Sequence, residues 1–136
     1  MRFARWVFLL AGISGVIVVA PPYFLERWAG EFDPPPVNHP EYYYGFVGVV
    51  LVFQLLYLLI ASDPVRFRPV MLFGALGKSS FAIAVAALYA AGRASPLWLG
   101  LAAMDALLIV LFVIAYLLTP KSYLLSCRAN PAPGSP

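Results

Sequence analysis

Apolar positions dominate four stretches of the chain, and polar positions gather between them. The first is WVFLLAGISGVIVVA at 6 to 20, extendable to Phe24, and the second is YYGFVGVVLVFQLLYLLIA at 43 to 61. The third runs from 69 to 91, and the fourth is PLWLGLAAMDALLIVLFVIAYLL at 96 to 118. Each approaches the ~20 residues needed to cross a ~30 Å hydrocarbon core. Inside lipid every backbone polar group must be bonded within the segment, so runs of this length are helices. The ~10-residue alternation of a membrane barrel strand is absent.

The pattern predicts an all-α membrane protein, a four-transmembrane-helix antiparallel bundle forming one domain over 1–136. Its helices fall at about 5–24, 42–61, 69–91 and 96–118, with an outer loop at 21–41 and a disordered tail at 120–136. In that loop, Pro34-Pro35-Pro36 favours an extended polyproline run. Upstream, YFLERWAG suits a turn or two lying in the interface, with Tyr23, Phe24 and Trp28 at headgroup level. Tyr42, Tyr43, Tyr44 and Trp98 belong to the same aromatic belt. MRFARW before an apolar run also fits a cleavable signal peptide. The candidate cleavage point, VVA, is followed by Pro21-Pro22, so a retained anchor is the expectation.

Composition agrees with a bilayer as solvent. Hydrophobic residues make up 62% of the chain and charged residues 11%, against roughly 25% charged in soluble domains. The net charge of +3 is no nucleic-acid signal, because the basic residues are scattered and flank the apolar runs. Arg2, Arg5, Arg66, Arg68, Lys121 and Arg128 share one side, whereas Arg27 and Arg93 fall on the other. By the positive-inside rule both termini are cytoplasmic. One cysteine, Cys127, excludes an intramolecular disulfide. One histidine, His39, excludes a bis-histidine haem and a histidine-rich metal site within one chain. P-loop, GxSxG, HExxH and paired-cysteine motifs are missing. No metal or cofactor is expected, and an enzyme is the less favoured reading.

The one feature that breaks the apolar pattern with consequence is Lys78 in GALGKSSFAIAVAALYAAG. It lies nine residues into its helix, roughly 13 Å from the cytoplasmic edge. Asp105 in the next helix lies about 20 Å from that edge, a gap that a lysine stem spans. The helices are joined only by GRAS and pack as antiparallel neighbours. Gly74, Lys78, Ala82, Ala86 and Ala90 form a ridge of spacing four, and Ala102 and Ala106 flank Asp105. Each unpaired ion would cost ~2.5–3.5 kcal/mol at a helix centre, so pairing is favoured. Gln54, at a similar depth, is expected to complete a polar cluster with the pair, with Ser79 or Tyr57 as further members. The cluster is either a structural clamp fixing helix register or the lining of a ligand or proton site.

Secondary candidates lie outside the apolar runs. His39 and Glu41 in VNHPEYYYG could act as an acid/base pair at the outer surface, or merely belong to a solvated loop. In ASDPVRFRP, Asp63 is expected to cap a turn, with Arg66 and Arg68 binding lipid phosphates.

The strings HPEYYYGFVGV and DPVRFRPVM, the lysine nine residues past Pro69, and the aspartate before LLIVLFVIAYL resemble small bacterial four-helix membrane proteins. More distantly they are similar to the DoxX-like group. The resemblance covers about two-thirds of the chain and implies an inner-membrane bundle. Functions in that group range from electron-transfer accessory subunits to uncharacterised proteins, and no catalytic residue carries over. The expected function is an accessory subunit or a small lipophile-binding bundle. The alternatives are an oligomeric proton-coupled transporter or a membrane enzyme acting on a lipophile. Expected partners are the lipid bilayer, a membrane protein or further copies of the chain, and a lipophilic ligand; nucleic acid is not among them.

Overall fold

The computed structural model describes residues 2–32 and 36–121. Asp33, Pro34 and Pro35, and the tail from 122 with Cys127 and Arg128, lie outside the described residues, together with the expectations made for them. Among the described residues the chain is all-helical: α1 (Arg2–Phe24), α2 (Glu26–Phe32), α3 (Pro40–Ser62), α4 (Arg68–Ala90) and α5 (Pro96–Leu118). All but α2 are long and apolar enough to cross a membrane, the architecture of an integral membrane protein.

Local chemistry sets the helix ends. Proline stands in the first turn of α3, α4 and α5, where its missing N–H has no intrahelical acceptor to lose and its φ is already helical. α4 closes on Gly92 at φ 68°, with Gly92 N–H donating to Tyr89 O at 2.9 Å and Arg93 N–H to Leu88 O at 2.8 Å. This is a Schellman ending, which needs a left-handed residue at that position. It reverses the chain within GRAS and makes α4 and α5 a tight hairpin. Between α3 and α4, Asp63 Oδ1 accepts the Arg66 backbone N–H at 3.1 Å, so Asp63 does hold the turn. α2 supplies the expected two turns after α1, and its Trp28 and Phe32 rings stack at 5.0 Å.

The long helices form two antiparallel hairpins, α1 with α3 and α4 with α5. They join along α1–α5 and α3–α4, giving a ring of four helices whose backbones do not approach across either diagonal. Glycine permits the close approaches. A Cβ on Gly12 would fall 2.6 Å from Leu58 Cδ2, and one on Gly77 would fall 2.9 Å from Phe53 Cε1. Where the hairpins meet, Phe8 stacks on Phe112 at 4.2 Å and Tyr57 lies edge-on to Phe112 at 5.0 Å.

Burial is uneven along the bundle. The core cluster, Ala4, Phe8, Ala11, Tyr57, Ile60, Ala61, Met71, Ala75, Phe112 and Ala115, lies toward the end that carries Arg2, the α3–α4 turn and the end of α5. Toward the α2 end, the long helices bury only Val47, Val85 and Ala102. The α4 ridge shows the same gradient, since Gly74 is buried while Ala86 and Ala90 are exposed.

Candidate functional site

The Lys78 ammonium donates to Asp105 Oδ1 at 2.5 Å, joining α4 to α5. The contact follows from the hairpin: the Schellman turn aligns the two helices, and the small residues around both ions let the backbones come close. The side chains remain 12% and 19% exposed. Attraction between the charges is strengthened by the poorly polarisable surroundings, which equally penalise either ion alone.

The floor beneath the pair is aromatic. Lys78 Nζ lies 5.8 Å from the Tyr57 ring centroid, at the outer limit of a cation–π contact. The Tyr57 hydroxyl donates to Gly74 O at 3.4 Å, one turn below Lys78. A Cβ on Gly74 would stand 3.0 Å from Tyr57 Cε1, so this glycine makes room for the ring. The pair therefore sits at the upper boundary of the packed core.

Gln54 does not complete the cluster. Its Nε2 donates to Val50 O one turn back at 3.0 Å, and its side chain occupies the space left by Gly15 of α1. Depth places Gln54 level with the ions, but its azimuth on α3 turns it toward α1. One amide N–H is thus spent on its own helix, and the amide oxygen lies beside Gly15 rather than beside the ions. Ser79 is satisfied in the same way, donating to Ala75 O at 2.8 Å.

Arg68 has a structural role that the sequence did not suggest. Its Nε donates to Thr119 O at 2.7 Å and Tyr116 O at 3.1 Å, and its guanidinium lies 3.8 Å from the Tyr116 ring centroid. It closes the C-terminus of α5, where the last carbonyls lack intrahelical donors. Arg5 does the same in the other hairpin, donating from Nε to Ala61 O at 3.1 Å and from Nη2 to Ser62 O at 2.9 Å at the end of α3. From sequence, Arg5 is read as an orientation signal and Arg68 also as a lipid-phosphate contact, and neither reading includes this capping role. Their position at the start of a hairpin's first helix was the available clue, since the second helix must end there. Arg66 is exposed, its guanidinium 5.5 Å from the Phe67 ring centroid.

At the α2 end, His39 Nδ1 and Glu41 Oε1 are 3.2 Å apart, and both side chains are largely exposed. Tyr43 and Tyr44, read from sequence as belt residues, are also joints: Tyr43 donates to Pro22 O at 2.7 Å and Tyr44 to Glu26 Oε2 at 2.9 Å. They bind the start of α3 to the end of α1 and to α2. Among the described residues no group of three or more His, Cys, Asp or Glu could hold a metal ion.

Set against protein-family models, curated proteins and solved structures, the chain matches none of them. The geometry itself defines an integral membrane four-helix bundle with a charge pair between two of its helices.

Proposed function

We propose that the protein is a non-enzymatic membrane binding module for a small lipophile, with Lys78 and Asp105 as the polar end of its site. The observation that carries this reading is the residual exposure of both ions at the level where the packed core stops. A wholly structural clamp gains most from full enclosure, whereas a site must leave its donors and acceptors within reach. Together the two groups offer an ammonium and a carboxylate to one polar head, while apolar helix faces accommodate its hydrocarbon part.

The proposed setting is a bacterial inner membrane with both termini cytoplasmic. The orientation is supported by Arg2, Arg5, Arg66, Arg68 and Lys121 at one end of the bundle. The bacterial assignment rests on the resemblance to the DoxX-like group. Native mass spectrometry after mild solubilisation tests the functional reading. One defined lipophile should be retained by the parent protein and lost from the folded Lys78→Met/Asp105→Asn double variant. Bulk lipid alone would overturn the proposal, and a stoichiometric protein partner would favour an accessory subunit.

A further inference from the structure

The end of the bundle opposite α2 carries Arg2, Arg5, Arg66, Arg68 and Lys121 against one acid, Asp63, among the described residues. A hollow of about 300 Å³ opens there between the first turns of α1 and the α3–α4 turn, lined by Arg2, Arg5, Ser62, Asp63 and Pro64. It lies where two spans end together and is separate from the ion pair at mid-depth.

We infer that this hollow is a binding site for the phosphodiester headgroup of an anionic phospholipid. Arg5 is held in place by its bonds to Ala61 O and Ser62 O, which engage two of the five guanidinium donors. The remaining donors, on a group whose orientation is already fixed, suit a phosphate oxygen without further loss of side-chain freedom. Arg2 stands three residues earlier on the same helix, so it shares the face of Arg5, and it is exposed. Asp63 opposes an anion, but one of its oxygens is occupied by the Arg66 N–H, and the surrounding basic residues outweigh its charge. The hollow's position favours a lipid over a soluble anion, because headgroup phosphates concentrate at the level where membrane helices end.

The test uses the full chain reconstituted in vesicles of equal parts phosphatidylcholine and phosphatidylglycerol, re-extracted gently, with retained lipid read by native mass spectrometry. The parent should hold phosphatidylglycerol in preference to phosphatidylcholine. Arg2→Gln should lower that preference about five-fold, as expected for one basic residue near an anionic surface. Asp63→Asn keeps an oxygen acceptor for the turn and should raise it. Arg2→Gln serves as the main variant because Arg2 is exposed, whereas Arg5 supports the end of α3. No preference in the parent, or equal preference in parent and Arg2→Gln, would overturn the inference. Displacement of the lipid by inorganic phosphate would reassign the site to a soluble anion and likewise overturn it.

Discussion

Lys78 and Asp105 meet across α4 and α5 at 2.5 Å, although their backbones enter the bilayer from opposite ends of the hairpin. The contact makes each ion the other's solvent in a region of low polarity. Lys78→Met and Asp105→Asn should therefore each destabilise the bundle by up to ~2.5–3.5 kcal/mol, the insertion penalty of a lone ion near a helix centre. The double variant should recover most of the loss, since it leaves neither charge unpaired. Thermal unfolding of the three variants in mild detergent checks this. Equal stability in all of them would remove the pair from the folding energetics.

Gly12 and Gly100 invite the same substitution with opposite results. Alanine at Gly12 would bring its Cβ to 2.8 Å from Leu58 Cγ and 3.0 Å from the Gln54 carbonyl, so α1 and α3 must separate. The expected loss is about 1–3 kcal/mol. Alanine at Gly100 meets nothing within 4 Å and should be neutral or up to about 1 kcal/mol stabilising. Unfolding of both variants under one condition tests the contrast, and a stable Gly12→Ala protein would contradict the proximity of α1 and α3.

Arg68 and Arg66 are two residues apart, yet their removal should differ. Arg68→Met removes the one N–H that the Tyr116 and Thr119 carbonyls share at the end of α5, and the loss should be about 1.5–3 kcal/mol. Arg66→Gln, in an exposed turn, should stay within ~0.5 kcal/mol of the parent. Arg68→Lys should recover only part of the difference, because an ammonium lacks the planar face that lies on Tyr116. Similar unfolding temperatures for Arg68→Met and Arg66→Gln would refute the capping role.

Tyr44→Phe removes the bond to Glu26 while keeping the ring. The effect should stay local: faster hydrogen exchange across α2, with little change in the global unfolding temperature. An unchanged exchange pattern would mean that the hydroxyl does not hold α2 in place.

Much of the architecture was legible because lipid leaves a chain few choices. A run of ~20 apolar residues must become a helix, and GRAS is too short for anything but an antiparallel hairpin. The ion pair could be anticipated for the same reason, as two costly charges on adjacent helices at compatible depths have little alternative to meeting. Gln54 was misread because depth alone was used for it. Its rotation about α3 depends on how that helix packs against α1, and the open side of Gly15 is visible only once both helices are placed. The capping role of Arg68 was missed because a basic residue at a membrane edge has several uses, and the carbonyls it meets belong to the far end of α5.

The sequence by itself determined the class of protein, the number and length of its spans, the turn before α5 and the meeting of Lys78 with Asp105. These follow from local constraints: backbone bonding in lipid, proline and glycine at helix ends, and the penalty on an unpaired charge. The tertiary structure alone decided that the two hairpins join at the Phe8, Tyr57 and Phe112 rings, that Gln54 faces α1, and that Arg5 and Arg68 close the ends of α3 and α5. Those outcomes depend on the rotation and spacing of whole helices, which arise from many side chains packing at once.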